Sequence, residues 1–347
     1  MGDLPDTDLL AAEILTRHGE ESIAKGSKSF ALASRLFRPT MRDHVRMLYA
    51  WCRHCDDVID GQDLGGDAPD ADLSAEEQAA RLDALRRFTR AAVAGTPTGH
   101  PAFDGFSLVA RAHEMPAQYP LDLLDGFAMD VARQSYDSLD DTLEYCYGVA
   151  GVVGVMMAIV MGVRADDHAV LDRACDLGLA FQLTNICRDV ADDARAGRVY
   201  LPAAHLCAHG VEPTAQGILD IDNRAALAGA VSEILDIADL YYRSATAGIA
   251  FLPTRAAAAI AAARNIYRDI GRLIRARGAA AWDQRAYTSK RQKTWLALKG
   301  CAEAVPHRLR APAALPPSRD GLWSRPVSRP IAQPIVKPVG AAHSPTR

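Results

Sequence analysis

The chain has 347 residues, 49% of them hydrophobic, which is enough for one large domain with a buried core or for two smaller ones. Its net charge of −4 is uneven: seven Lys/Arg against two Asp/Glu give residues 303–347 a charge of +5, so the preceding residues carry −9. An acidic body argues against a nucleic-acid partner and is compatible with bound divalent cations. Seven scattered cysteines and an acidic N-terminus without a signal peptide predict free thiols and a cytoplasmic location.

Helical periodicity runs through most of the chain, and strand signals are nearly absent, so we predict an all-α fold. Asp6 or Thr7 is the expected cap of a first helix through LLAAEILTRHGEES, and Pro39 and Thr40 precede a second helix through HVRMLYAWCRHCDDVIDG. Further helices are predicted near 76–93, 101–113, 120–134, 139–163, 167–196, 223–248, 253–277 and 290–303. The expected organisation is an N-terminal extension (1–14), one helical domain (15–303) and a basic, proline-rich tail (304–347).

The tail holds nine of the 19 prolines and almost no periodicity, so it is expected to be disordered. By contrast, residues 145–163 contain no charged side chain over 19 positions, close to the length of a membrane span. The segment holds four glycines and has charged residues on both sides. We therefore predict a buried or cavity-lining helix, with a membrane span as the alternative.

A first acidic face lies in YAWCRHCDDVID, residues 49–60. On a helix, Tyr49, Arg53, Asp56 and Asp60 share one side, because they are spaced by four, three and four residues. Two carboxylates one turn apart repel by roughly 0.2–0.5 kcal/mol, and an apolar setting raises this cost. A hard cation with oxygen ligands would remove it.

A second polar face lies in GLAFQLTNICRDVADD, residues 178–193. Gln182, Asn185, Asp189 and Asp193 are spaced by three, four and four, so one side of this helix carries only oxygen-bearing groups. A single acidic motif of this kind is more often a solvated helix face, but a second one makes that explanation weak. Since Mg²⁺ is usually held by one or two carboxylates plus substrate phosphates, two such faces predict a phosphorylated substrate.

Basic residues near both faces fit the same chemistry. Arg53, Arg188 and Arg198 are candidates to bind diphosphate oxygens, and the alternative is structural pairing with neighbouring aspartates. In GSKSF, residues 26–30, a helix that begins near Ser27 would offer backbone N–H groups to a phosphate.

Two other motifs are weak. The Cys52-x-x-Cys55 pair has no second pair at zinc-ligand spacing and lies inside the first acidic helix. The run GVAGVVG, residues 148–154, differs from the dinucleotide-binding fingerprint, and no strand precedes it. Its glycines favour close helix packing or room for a long apolar ligand.

These motifs resemble the squalene and phytoene synthase family. Two family signatures are nearly intact: YCYGVAGVVG at 145–154 and LGLAFQLTNICRDVADDARAGRVYLP at 177–202. The SKSF run, the block at 49–60 and AWDQR at 281–285 also match, and the resemblance covers roughly residues 15–300. It implies an all-α prenyl-synthase fold with a central cavity, and it is closest to the bacterial members that form phytoene.

The resemblance also implies roles for individual residues. The implied Mg²⁺ ligands are Asp56, Asp60, Asn185, Asp189 and Asp193, with Mn²⁺ as a substitute. Tyr145 would line the cavity near the reacting carbons. The residues expected to contact substrate are Ser27, Lys28, Ser29, Phe30, Tyr49, Arg53, Gln182, Arg188, Arg198, Tyr267 and Arg285.

The implied reaction joins two geranylgeranyl diphosphates head to head through prephytoene diphosphate to phytoene, the first committed step of carotenoid biosynthesis. Dehydrosqualene or squalene formation from farnesyl diphosphate is the alternative, although no nicotinamide site or C-terminal anchor is visible. A non-catalytic assembly factor of the same fold is a further alternative, but such relatives have eroded acidic motifs and all the acids are present here. Head-to-tail chain elongation would predict a different second motif, one without the QxxNxxRD pattern. Ser34 is small and is expected to admit a C20 chain.

Partners beyond the substrate are less defined. The basic tail is compatible with peripheral contact with the inner face of the membrane, and equally with a plain extension. Contact with other carotenoid-pathway enzymes is a further expectation.

Overall fold

The computed structural model describes residues 6–26, 31, 34–61, 74–286, 288–304 and 318–326. Within these residues the secondary structure is helical and contains no strand, so the predicted all-α fold is confirmed. In chain order the helices are α1 (Asp6–Gly26), α2 (Pro39–Asp60), α3 (Ala75–Val93), α4 (Pro101–Ala112), α5 (Gln118–Val131), α6 (Leu139–Cys146), α7 (Val152–Val160), α8 (His168–Arg195), α9 (Ala203–Ala208), α10 (Ala215–Leu219), α11 (Arg224–Ile249), α12 (Thr254–Arg277) and α13 (Lys290–Ala304).

Local signals set where several helices begin and end. Ser74 accepts a hydrogen bond from the backbone N–H of Glu77, whose carboxylate accepts one from the Ser74 backbone in return. Ser138 and Asp141 form the same reciprocal cap at the start of α6. Such caps satisfy N–H groups that have no partner inside the helix. Gly61 ends α2 with a φ of 66°, a conformation that glycine adopts without steric cost.

Helix α8 is the centre of the bundle and packs against α11, α7 and α12. Its inner side is formed by small and aliphatic residues, and Ala180, Leu183 and Cys187 are fully buried. The small side chains allow the neighbouring helix to approach, and the Cys187 thiol lies 3.9 Å from the backbone oxygen of Val231 in α11. The opposite side of α8 is therefore free to carry the polar face predicted from the sequence.

The uncharged segment is buried, but it is not one regular helix. A π-helical turn, Tyr147–Gly151, separates α6 from α7, and α7 ends at Val160. The run Leu139–Val160 is long and apolar enough to span a membrane, but 67% of its most apolar window is buried among the other helices. An ideal Cβ at Gly154 would lie 2.3 Å from the backbone oxygen of Ala174, so only glycine permits this contact between α7 and α8.

Part of the predicted tail packs against the body. Residues 318–326 lie along α8, and Arg325 is only 2% exposed. The sequence predicts a disordered tail. In this part of the tail, which has no apolar periodicity, specific ion pairs hold the chain against the body. Residues 305–317 and 327–347 lie outside the described part of the chain. At the other end, α1 begins at Asp6, within the proposed extension, so the domain boundaries stay predictions.

Candidate active site

A cavity of about 580 Å³ lies along the polar side of α8. Its wall includes residues of α8 from Val170 to Arg188, so it follows the helix axis for about 27 Å. One end carries arginine, aspartate and amide side chains, among them Arg53, Asp56 and Asn185. Most of the remaining wall is apolar. Such a shape suits a ligand with a charged head and a long hydrocarbon chain.

The structure brings most of the predicted site residues to this cavity. Those on its wall are Tyr49, Arg53, Asp56, Tyr145, Gln182, Asn185, Arg188, Tyr267 and Arg285. Asp60, Asp189, Asp193 and Arg198 are not part of the wall but belong to the charged network at its polar end. Ser27, Lys28, Ser29 and Phe30 lie outside the described residues, so their placement stays a prediction.

On α2, one arginine serves two acids. The Arg53 guanidinium lies 2.9 Å from the Asp56 carboxylate and 2.6 Å from that of Asp57. Burial raises the pKa of Asp56 to about 7, since Arg53 offsets only part of the desolvation and Asp60 adds repulsion. The sequence interpretation did not include Asp57, although Arg53 and Asp57 have the i,i+4 spacing of a helical ion pair.

On α8, Asp189 is the most strongly paired acid. Arg188 and Arg285 each donate two hydrogen bonds to it, and those from Arg285 are both 2.9 Å long. Burial would raise the pKa of Asp189, but the two guanidinium groups hold it below its usual value. Among the described residues no such pair is present at Asp193, one turn further on, where burial and the charge of Asp189 raise the pKa to about 7.

An ion pair connects the polar faces of α2 and α8. The Arg198 guanidinium, just beyond α8, lies 3.1 Å from the Asp60 carboxylate at the end of α2. The predicted polar faces of α2 and α8 therefore meet at one end of the cavity. On α8, the Asn185 side-chain oxygen is buried and has no hydrogen-bond partner among the described residues. A buried acceptor without a partner is costly, and a cation would satisfy it.

An acid that the sequence interpretation missed lies on the same wall. Asp130 of α5 accepts hydrogen bonds from the hydroxyl groups of Tyr145, at 3.2 Å, and Tyr200, at 2.7 Å. The two tyrosine rings are stacked with centroids 4.7 Å apart. Burial raises the pKa of Asp130, and the Tyr200 hydrogen bond opposes that rise. The available signal was an aspartate one turn from Phe127 and Gly126 on the predicted helix 120–134.

Close backbone packing places this cluster. An ideal Cβ at Gly126 would lie 2.6 Å from a backbone atom of Gly148, so α5 contacts the π-helical turn directly. Asp130 follows Gly126 by one turn of α5, and Tyr145 precedes Gly148 by three residues. Because both glycines lack side chains, the Asp130 carboxylate comes within reach of the Tyr145 hydroxyl.

Other candidate residues have simpler surroundings. The Tyr267 ring stacks on Phe181, another residue of the cavity wall, with centroids 4.3 Å apart. Ser34 is fully buried, and its hydroxyl donates to the backbone oxygen of Ala31 at 2.9 Å. All seven cysteines are free thiols. Cys55, on α2, is fully buried in the core.

The donor set at the polar end fits a divalent cation that shares its ligands with a substrate. Among the described residues, no three His, Cys, Asp or Glu side chains converge tightly enough to hold a metal by themselves. Mg²⁺ usually takes one or two carboxylates and completes its octahedron with water and phosphate oxygens. The carboxylates of two helices and the Asn185 oxygen are hard ligands of the required kind.

An all-α bundle with acids and arginines at one end of a long apolar cavity is typical of enzymes that act on isoprenoid diphosphates. The family model for squalene/phytoene synthase matches residues 23–292. This chain belongs to the squalene/phytoene synthase family and is a prenyltransferase.

Its similarity to bacterial relatives extends over nearly the whole chain. It is 51% identical to the 15-cis-phytoene synthase of Pantoea ananas over 313 residues, which is 90% of this chain and 98% of the relative. It is 52% identical to the 15-cis-phytoene synthase of a Paracoccus species, covering 88% of this chain and 96% of the relative. Among solved structures, a dehydrosqualene synthase in complex with ligand has a TM-score of 0.74 at 26% identity, with 85% of this chain and 98% of that chain covered.

Proposed function

We propose that this chain condenses two geranylgeranyl diphosphates head to head to form phytoene. The observation that carries the proposal is the cavity itself: its polar end joins the acidic faces of α2 and α8, and its wall follows α8 for about 27 Å. Relatives that share about half of their residues with the chain carry the name 15-cis-phytoene synthase.

The polar end of the cavity binds the diphosphate groups in this proposal. Arg53, Arg188 and Arg285 lie on the wall and present planar guanidinium groups, which suit bidentate contact with phosphate oxygens. They now contact Asp56 and Asp189. A diphosphate that enters with its cations would compete for these arginines and leave the carboxylates free for the metal.

The proposed metal ligands are Asp56, Asp60, Asn185, Asp189 and Asp193, as the family resemblance implies. These residues would hold Mg²⁺, with Mn²⁺ as a substitute, which when bound would supply positive charge to the departing diphosphate. The arginines stabilise the same charge from the protein side. No nicotinamide cofactor takes part in this reaction.

Ionisation of the first substrate leaves an allylic cation, which attacks the 2,3 double bond of the second. Loss of a proton then gives the cyclopropane prephytoene diphosphate, and a second ionisation, rearrangement and proton loss give phytoene. The aromatic faces of Tyr145, Phe127 and Phe181 line the cavity and stabilise the cationic carbons. The apolar wall excludes water, which would otherwise quench the cations to alcohols.

The test is incubation of the purified protein with geranylgeranyl diphosphate and Mg²⁺, without nicotinamide, followed by identification of the hydrocarbon. Phytoene is the expected product, and removal of Mg²⁺ with a chelator should abolish it. A C30 product from farnesyl diphosphate, with none from the C20 substrate, would overturn the proposal in favour of dehydrosqualene synthesis. That second candidate is favoured by the structural similarity to a dehydrosqualene synthase.

We also propose peripheral association with the cytoplasmic face of a membrane. Trp295 and Leu298 of α13 are 61% and 65% exposed, and the ammonium group of Lys299 lies 5.6 Å from the centre of the Trp295 ring. With exposed Arg291, they form an apolar and basic surface that suits anionic lipid. The fraction of protein that floats with phosphatidylglycerol vesicles should be lower for Trp295→Ala than for the wild type. Contact with other pathway enzymes belongs to the same proposal.

A further inference from the structure

The segment Ser318–Pro326, here called the C-terminal strap, is held to α8 by two arginines. The Arg319 guanidinium donates to both oxygens of Asp176, at 2.7 and 2.8 Å, in a bidentate pair. The Arg325 guanidinium donates to Asp172 at 2.7 Å. Asp172 and Asp176 are one turn apart on α8, so the strap neutralises two like charges on the same side of the helix.

The contact between strap and body is buried. Asp176 is completely inaccessible to solvent, and Arg325 is 2% exposed. The Trp323 backbone N–H donates to the Tyr241 hydroxyl at 3.2 Å, and its ring lies 5.6 Å from that of Tyr147. A buried bidentate pair has a fixed geometry, unlike an exposed ion pair, so the strap also fixes the position of Asp176.

From Asp176 a chain of hydrogen bonds leads to the cavity. The Ser244 hydroxyl of α11 donates to Asp176. The Arg173 guanidinium in turn donates to the hydroxyl and backbone oxygens of Ser244, both at 3.1 Å. Arg173 lies on the cavity wall. Its Cβ would be only 2.7 Å from a Cβ built on Gly248, so its aliphatic stem is pressed against α11.

Arg173 lies at the end of the cavity opposite the diphosphate-binding groups. It precedes Arg188 by fifteen residues on α8, a distance of about 22 Å along the helix axis. Around it the wall is apolar and includes Val170, Ile249 and Leu252. Long cationic side chains commonly cover apolar surface with their stems while the charged head binds elsewhere. Arg173 has that arrangement, with Ser244 as a partner of its head.

We propose that the C-terminal strap determines where the cavity ends and therefore how long a hydrocarbon chain the site accepts. Arg319 is a positioning residue: it holds Asp176 and Ser244, which keep the Arg173 guanidinium out of the apolar space while its stem closes that space. Without Arg319, Asp176 loses its bidentate guanidinium partner and keeps the hydrogen bond from Ser244. The Arg173 side chain then turns towards Asp176, and the cavity becomes deeper. This inference rests on the proposed function, since it assigns this end of the cavity to the substrate's terminal isoprene units.

The experiment compares Arg319→Ala with the wild type, as full-length proteins, with C20 and C25 allylic diphosphates in competition. The ratio of kcat/KM for C25 to that for C20 should rise roughly tenfold, the lower range of what a methylene-sized change in an apolar pocket produces. Ser244→Ala removes the hydroxyl acceptor of the Arg173 guanidinium while the Arg319–Asp176 pair stays intact, so it should also release the Arg173 stem from this end of the cavity and raise the ratio. Arg319→Lys should restore part of the wild-type ratio.

Arg164→Ala is the matched control, because Arg164 forms an exposed pair with Asp166 just before α8 and does not line the cavity. Its ratio should equal that of the wild type. A wild-type ratio in both Arg319→Ala and Ser244→Ala would overturn the inference, even if the melting temperature fell, because the strap would then only stabilise the fold. If Arg319→Ala does not fold, Ser244→Ala decides.

Failure of the proposed function is distinguishable from failure of this inference. Non-reactive thiolodiphosphate analogues of C20 and C25 length bind without turnover, and calorimetry gives the ratio of their Kd values in each variant. If the wild type forms no phytoene, the proposed function fails. The strap is still judged by whether Arg319→Ala shifts this binding ratio towards the longer analogue.

Discussion

The contact between α8 and the π-helical turn gives the sharpest prediction of stability. An ideal Cβ on Gly178 would lie 2.3 Å from the backbone oxygen of Ala150 and 2.7 Å from the Cα of Gly151. Both neighbours are backbone atoms, so no side-chain rotation relieves the contact. In Gly178→Ala the two helices must separate by about 1 Å to reach ordinary van der Waals distance.

The size of the effect follows from two opposing contributions. Overpacking a rigid contact costs about 3 kcal/mol, while alanine in place of glycine regains about 1 kcal/mol of helix propensity. We expect Gly178→Ala to lower the free energy of unfolding by about 2 kcal/mol and the melting temperature by about 4 °C. Because Gly178 and Ala150 both line the cavity, kcat/KM should also fall, by up to about 100-fold for a 1 Å displacement.

Gly271→Ala is the control. Its Cβ would meet only the terminal Cδ2 of Leu235, at 3.1 Å, and a flexible side chain moves aside easily. The control should unfold at the same urea concentration as the wild type or at a higher one. If Gly178→Ala and Gly271→Ala have equal urea midpoints and wild-type activity, the rigid backbone contact does not determine the packing of α8.

Three further predictions concern the site and its surroundings. Asp56→Ala and Asp189→Ala should each lower kcat by at least about 10²–10³-fold while circular dichroism stays unchanged; turnover within tenfold of the wild type would contradict their roles as metal ligands. Asp130→Asn removes the charged acceptor between the Tyr145 and Tyr200 hydroxyl groups. It should lower kcat about tenfold without changing the melting temperature. A loss of stability equal to the loss in kcat would indicate a purely structural role. Burial, with repulsion from His100, lowers the pKa of His54 to about 4, below its unfolded value near 6.5, so the unfolded state takes up the proton first. Stability should therefore fall by up to about 3 kcal/mol between pH 6.5 and pH 4, and a His54→Gln variant should lose less; equal pH dependence of the two urea midpoints would refute this.

The helices were predictable because their periodicity is strong, and the two polar faces because each lies on one regular helix. The π-helical turn at Tyr147–Gly151 was not predictable from the sequence. A change in the number of residues per turn shows as a shift in the pattern of polar residues, and this apolar segment has no such pattern. Asp130 was missed for a different reason. Its partners, Tyr145 and Tyr200, lie 15 and 70 residues away, so no local spacing marks it as part of a site.

The C-terminal strap shows the same limit more clearly. Proline-rich composition indicates only that a segment has no apolar core of its own. It does not indicate whether single charges find partners elsewhere. Arg319 and Arg325 pair with acids 143 and 153 residues earlier in the chain, and those acids lie on the side of α8 away from the recognised motif.

The negative charge of the two acidic faces is neutralised by different groups from those that residue spacing alone suggested. Repulsion between acids one turn apart indicated a need for a cation, yet Arg53, Arg198 and Arg285 already contact three of the four acids. Compensation is incomplete at three points. The pKa of Asp56 and that of Asp193 are both raised to about 7, and the buried Asn185 oxygen has no partner among the described residues. In the proposed function, a cation that arrives with its own phosphate ligands would meet these remaining needs and leave the arginines to the diphosphate, so the same groups would serve the empty and the loaded site.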